Sequence, residues 1–145
     1  APSTVTRLLN MGIEPFLVAT AVNLISAQRL ARRVCPECKE EVTVEKSVLI
    51  RAGAKEEEVD QYRLFKGRGC PLCNNTGYKG RVGIYQVMPM FEPIREMVLG
   101  GANATEIKRE SMRLGVKTMR QAALTKLKEG AICLEEALRV TVADD

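Results

Sequence analysis

The sequence predicts a mainly α-helical chain with one small lobe of turn and strand. Three observations carry this. Apolar residues recur at helical spacing through most of the 145 residues. One segment, "RVGIYQVMPM" (residues 81–90), instead has the alternation and β-branching of a strand, stopped at Pro89. Between them, residues 66–78 are so rich in Gly, Pro and Asn that they read as turn.

In chain order, Ser3 or Thr4 can cap a first helix carrying Val5, Leu8 and Leu9, ending near Gly12. Pro15 suits the first turn of a second helix, where its missing N–H has no partner to lose. That helix is expected over residues 16–34, apolar on most sides through Ile25 and basic at Arg29, Arg32 and Arg33, which suits the negative end of its dipole. "EKSVLIRAG" and "AKEEEVDQYRL" show short helical periodicity, broken at Gly53. After the strand the chain is helical again: Pro93 opens "PIREMVLG", Asn103 or Thr105 caps "ATEIKRESMRLG", Gly130 ends "TMRQAALTKLKEG", and "LEEALRVTV" follows. No internal repeat or low-complexity tract is present.

Composition removes several chemistries. There is no histidine, hence no histidine general base, no Ser-His or Cys-His nucleophile and no mixed Cys/His metal site. The net charge of +4 is mild but unevenly spread. Between Gln61 and Phe91 no acid occurs, while Arg63, Lys66, Arg68, Lys79 and Arg81 all do; acid collects at Glu56, Glu57, Glu58 and Asp60, and again at Glu135, Glu136, Asp144 and Asp145. The longest apolar run, "FLVATAVNLI", is too short to span a bilayer and no signal peptide opens the chain. Five cysteines without a secretory signal point to a reducing compartment. The abrupt "APSTVTRLL" reads as the start of a piece of a longer protein.

Four of the cysteines form a pattern. "CPEC" (Cys35, Cys38) and "CPLC" (Cys70, Cys73) are two C-x2-C pairs separated by 31 residues. Two thiolates two residues apart in a tight turn can meet one Zn²⁺ at about 2.3 Å each, and two such turns complete a tetrahedron. A proline stiffens each turn, Gly77 supplies a left-handed residue after the second, and Asn75 tolerates one. Arg33, Lys39, Arg68, Lys79 and Arg81 can offset the excess charge of four thiolates. Four thiolates fill the coordination sphere, so the site reads as structural. The alternatives are two unrelated pairs or a redox C-x-x-C; the redox reading leaves the second pair unexplained. The fifth, Cys133, stands at a helix cap position with Glu136 three residues on, as in a capping box whose Ser or Thr has been replaced. A bland buried thiol is its simplest reading.

No phosphate-cradling G-x-x-x-x-G-K-[ST] is present, and no pair of carboxylates stands out as acid and base. No catalytic and no cofactor-binding residue is therefore assigned in this sequence. "NNT" at Asn74 and "NAT" at Asn103 match the glycosylation pattern, but such short matches are common by chance and a reducing compartment does not suit them.

"AQRLARRVCPEC", "CPLCNNTGYKGRVGIYQVM" and "LEEALRVT" resemble the C-terminal part of the type IV pilus assembly and type II secretion ATPases. The resemblance runs over nearly the whole chain. It implies that Cys35, Cys38, Cys70 and Cys73 bind one structural zinc. It implies the C-terminal portion of a RecA-like α/β ATPase domain plus a C-terminal helical bundle. Residues 1–34 would be helices of the ATPase core, 35–90 a tetracysteine zinc-binding subdomain and 91–145 a helical subdomain. The parent it implies is a cytoplasmic homohexameric motor, peripheral to the inner membrane, acting on a platform protein there. ATP and Mg²⁺ would bind the parent's upstream motifs, leaving this segment inactive alone. Family members often have Gly where Asn75 stands and Ser or Thr where Cys133 stands, so a weaker helix cap is expected here.

The competing class is a free-standing zinc-ribbon module that binds nucleic acid through the basic face. Few aromatics accompany that face for stacking (Tyr62, Phe65, Tyr78 and Tyr85), and no recognition helix is evident, so nucleic acid is not the expected partner. A thiol-disulfide chaperone is a third class, predicting redox-active thiols at Cys70 or Cys73. Arg29 is expected at a helix end, solvated or reaching a phosphate or neighbouring subunit. The basic run from Arg63 to Arg81 either compensates the thiolates or meets acidic groups on a partner or lipid surface.

Overall fold

The computed structural model describes residues 1–143, so the acidic pair Asp144 and Asp145 lies outside the described residues. Seven helices and four strands follow in the order α1 (Pro2–Asn10), α2 (Pro15–Ala21), β1 (Leu24–Val34), β2 (Lys39–Val42), α3 (Lys46–Ala52), β3 (Leu64–Gly67), β4 (Tyr78–Pro89), α4 (Glu92–Leu99), α5 (Ala104–Arg113), α6 (Met119–Lys128) and α7 (Leu134–Val140). Two 3₁₀ turns, Glu56–Gln61 and Pro71–Cys73, lie on either side of β3. The strands form two two-stranded sheets, β1 with β4 and β2 with β3. The fold is thus a mixed helix and small-sheet arrangement, with more strand than the sequence pattern foretold.

The largest departure concerns the second helix. It ends at Ala21, and Val22 already has extended backbone at φ −82°, ψ 124°. The rest of the expected helix, "LISAQRLARRV", is strand β1. It pairs with β4, and bonds just beyond the strand ends close the ladder: Met90 N–H donates to the Asn23 carbonyl at one end and Cys35 N–H to the Gly77 carbonyl at the other. A partner more than forty residues away in sequence decides the conformation, and local periodicity carries no trace of it. The basic residues Arg29, Arg32 and Arg33 therefore stand on an exposed strand, not on the last turn of a helix. Arg29 is correspondingly not at a helix end.

Other boundaries follow local chemistry. Helix α1 begins at Pro2 with Ala1 as its cap position, so neither Ser3 nor Thr4 caps it. Pro15 does open α2. Asn103 closes a capping box with Glu106 at α5, and Thr118 closes a second with Gln121 at α6. Gly53 ends α3 in the left-handed region, as its place after the periodic run predicts. "AKEEEVDQYRL" forms only a 3₁₀ turn, and residues 66 and 67, expected in turn, complete β3.

The chain divides into two compact units. One comprises Ala1–Ala27 and Tyr85–Lys117; the other comprises Gln28–Ile84 and the chain from Thr118 onward. In the first, Val5, Val18, Ile25, Met88, Ile94, Val98 and Ile107 form an apolar core among α1, α2, α4 and α5. The guanidinium of Arg95 donates to the Ala19 carbonyl near the end of α2. In the second, Ala31, Leu49, Val59, Leu64, Ile84, Leu124, Leu127 and Ile132 form the core. There the buried Arg120 donates to Thr141 Oγ1 at 2.6 Å, the Ala52 carbonyl at 3.0 Å and the Thr141 carbonyl at 3.2 Å. It ties α6, the end of α3 and the segment after α7 together through neutral acceptors. Among the described residues no helix is long and apolar enough to cross a membrane.

Candidate metal centre

All four paired cysteines belong to the second unit, and the β2–β3 ribbon is what brings them together. β2 and β3 run antiparallel, with Lys39 opposite Gly67 and Val42 opposite Leu64. Residue 38 thereby lies beside residue 68: Arg68 N–H donates to the Cys38 carbonyl at 3.1 Å. Cys35 follows directly on β1. Cys70 precedes the 3₁₀ turn Pro71–Cys73, and the chain then reverses through Asn74 and Asn75, both left-handed at φ 55° and 61°. Asn75 thus adopts the conformation its side chain was expected to tolerate. Gly77 is left-handed too, at φ 81°.

Two glycines allow the knuckles to close. A Cβ on Gly67 would lie 2.1 Å from the Gly77 carbonyl oxygen, and one on Gly77 would lie 2.5 Å from that of Gly67. Only backbone without side chain fits at this crossing.

The sulfurs of Cys35, Cys38, Cys70 and Cys73 all lie within 4.8 Å of one another. The Sγ–Sγ distances are 3.7 Å for Cys35–Cys70, 3.8 Å for Cys38–Cys73 and 3.6 Å for Cys70–Cys73. Four sulfurs held tetrahedrally at ~2.3 Å from one ion stand ~3.8 Å apart, so these spacings are the edges of a metal-sized tetrahedron. Three of the four residues are buried and Cys70 is half-buried. The cluster could hold a metal ion.

The polar groups around the sulfurs also suit thiolates. Gly69 N–H donates to Cys38 Sγ at 3.2 Å, Cys70 N–H to Cys73 Sγ at 3.3 Å and Gly77 N–H to Cys73 Sγ at 3.2 Å. Burial opposes ionisation of Cys73. The N–H groups of Cys70 and Gly77, with the thiols of Cys70 and Cys38, outweigh it and lower its pKa to about 6. Cys38 moves the other way, pushed up to about 11 by burial and by the neighbouring thiols against its one N–H from Gly69. Without a cation, the cluster accommodates a first negative charge far more easily than a second.

The basic residues expected to offset the thiolates are arranged differently. Arg33, Lys39, Arg68, Lys79 and Arg81 are all exposed. The Lys39 ammonium lies over the Phe65 ring at 4.4 Å, and Lys79 Nζ donates to the Leu72 carbonyl at 3.4 Å. Among the described residues, the nitrogens that reach the sulfurs are backbone amides.

Cys133 stands apart from the cluster. It is buried at the cap position of α7, its side chain makes no cap bond, and its Sγ lies 3.4 Å from the Tyr78 hydroxyl. That contact, then burial, pushes the Tyr78 phenol up to about 12. Glu136 does not complete a capping box. It is 1% exposed, accepts from Arg32 N–H at 2.8 Å and is gripped by the guanidinium groups of Arg32 and Arg139. The Arg139 bond, opposed by burial and helped by Arg32, lowers its pKa to about 2. The sequence marks Glu136 and Arg139 as an i,i+3 pair, but nothing local shows that the carboxylate is buried or that Arg32 joins it.

The sequence model of the family described as "Type II/IV secretion system protein" matches residues 1–139. The chain belongs to the type II/IV secretion system protein family. It is 48% identical to the type IV pilus assembly ATPase PilB of Myxococcus xanthus, over 99% of this chain and 26% of that protein. PilB of Thermus thermophilus is 43% identical over 98% of this chain and 16% of its own length. The type II secretion system ATPase E of Vibrio cholerae is 36% identical over 97% of this chain and 27% of its own. The chain thus spans about a quarter or less of the length of these curated relatives. Within that span the chain carries a four-cysteine cluster able to hold a metal.

Proposed function

We propose that this chain is the zinc-binding, non-catalytic C-terminal region of a hexameric motor ATPase that powers type IV pilus assembly or type II protein secretion. The observation that carries the metal part is the set of sulfur spacings, 3.6, 3.7 and 3.8 Å, which fits a four-thiolate Zn²⁺ site. The motor part is supported by family membership and by relatives named as pilus and secretion ATPases.

Zinc, d¹⁰ and redox-inert, would serve here as a closed structural centre held by Cys35, Cys38, Cys70 and Cys73. The second C-x2-C, fixed by Gly67, Gly77 and backbone N–H bonds, would be tied to the first without any catalytic water position. ATP and Mg²⁺ would bind elsewhere in the parent, since this sequence has no glycine-rich phosphate loop. The unit that holds the cysteines, residues 28–84 with the chain from Thr118 onward, would form a rigid knob, and the unit of residues 1–27 and 85–117 would pack against the RecA-like core. The parent would act in the cytoplasm on an inner-membrane platform protein.

The test is made in the longer parent protein. Cys35→Ser with Cys38→Ser should remove zinc, leave nucleotide binding in place and abolish pilus assembly or secretion. A zinc-free double variant that still drives the machine at the normal rate overturns the proposal. The free-standing nucleic-acid module predicts oligonucleotide binding that falls steeply with salt; the motor reading predicts none.

A further inference from the structure

Helix α7 is poorly equipped to stand alone. It has seven residues, and its cap residue Cys133 makes no side-chain cap bond. A helix this short depends on tertiary contacts for its existence. Beyond its packing on α6 and in the apolar core through Leu134 and Ala137, a set of polar contacts leads from α7 back to the cysteine knuckles.

Gly77 is the first link. Its N–H donates to Cys73 Sγ at 3.2 Å, and its carbonyl accepts from Cys35 N–H at 2.9 Å. The next residue, Tyr78, places its hydroxyl 3.4 Å from Cys133 Sγ, just before α7. The second link is Arg32, three residues before Cys35. Its guanidinium carbon lies 4.1 Å over the Tyr78 ring. Its backbone N–H and its Nη2 each reach a different oxygen of Glu136, both at 2.8 Å. Val34 N–H adds a bond to the Ala131 carbonyl at 3.0 Å.

We propose that metal binding at the four cysteines is coupled to docking of α7, with Tyr78, Arg32 and Glu136 as the positioning residues. This rests on the metal reading above. The metal would hold Cys35 and Cys73, and with them Gly77, in one arrangement. That arrangement sets Tyr78 and Arg32. Glu136 is a buried carboxylate whose charge is met by Arg32 and Arg139, so losing Arg32 leaves it under-compensated. Helix α7 therefore cannot stay docked when the knuckles move. Linkage makes the effect reciprocal: whatever factor the metal adds to docking of α7, docking adds to metal affinity.

Zinc stoichiometry is measured first on the full chain. Amide exchange is then followed in α7 and in α3, which belongs to the same unit, before and after a strong chelator removes the zinc. Protection in α7 should fall at least about tenfold more than in α3. Competition with a chromophoric chelator should show Glu136→Gln binding zinc roughly tenfold more weakly, as for other residues that orient ligands indirectly, with Glu57→Gln unchanged. Should Glu136→Gln fail to fold, Tyr78→Phe, which deletes one hydroxyl, serves in the same comparison. Equal loss of protection in α7 and α3, or a folded variant that holds zinc as tightly as Glu57→Gln does, overturns the coupling alone. A chain that takes up no zinc overturns the metal reading and the coupling together.

Discussion

The unit built on Ala1–Ala27 and Tyr85–Lys117 and the unit that contains the cysteines are assembled by different means. The first has a core of Val, Ile, Met and Ala, and its buried polar residues, Gln86 and Ser111, are neutral. The second buries an arginine, a glutamate and the cysteine cluster beside a core of similar size. Apolar packing is non-directional and tolerant, so the first unit can form from helices that each bury one stripe. Polar and sulfur contacts work only at one geometry. The second unit's short elements, β2, β3, α3 and α7, therefore depend on tethers that a single change can cut.

Removing the proposed metal is the largest perturbation of that contrast. A chelator should strip amide protection from β2 and β3 by orders of magnitude, since structural zinc contributes on the order of 10 kcal/mol in small domains, while the core amides of α4 and α5 keep theirs. Equal collapse in both regions would erase the distinction. The first unit has its own weak point: Ile94 is fully buried. Ile94→Ala should cost about 3 kcal/mol in denaturant melts and leave bound zinc unchanged.

Besides displacing the proposed metal, acid should act on the second unit through Glu136. Its folded pKa of about 2 lies below the ordinary 4.5, so its stabilisation is complete above pH ~4.5 and is lost as pH falls towards 2. Its arginine partners are half exposed, which screens the effect to about 2 kcal/mol. Wild type should exceed Glu136→Gln by that margin at neutral pH in chemical denaturation, with the gap closing as pH falls to 2. A gap independent of pH would mean the carboxylate's charge is not what matters. The smallest effect is expected at α6: Thr118→Ala, which removes the Thr118 cap of the Gln121 box, should cost about 1 kcal/mol.

How much of this was visible beforehand follows the same division. The α4, α5 and α6 segments announce themselves through Pro93, Asn103 and Gly130, because their signals are local. The grouping of the four cysteines was legible from spacing alone, as was the left-handed turn at Asn75 and Gly77. β1 was not, because its hydrogen bonds belong to β4; an apolar-then-basic stretch looks helical until its partner is known. β2 and β3 are four residues each and pair across more than twenty residues of sequence. The burial of Glu136 depends on Arg32, 104 residues away. The cations placed near the cysteines by sequence turned out to be exposed, and the work of holding the sulfurs falls to backbone N–H groups that no residue type advertises.

One four-sulfur metal centre is proposed to hold the β2–β3 ribbon and the docking of α7 together. Native mass spectrometry of the purified chain, with elemental analysis of the same sample, tests it most directly. One zinc per chain, lost with the uptake of two protons by each C-x2-C pair and a net gain of two positive charges for the whole site when acid displaces it, is the predicted result. A folded chain carrying no metal, with all five thiols free to react, would contradict it.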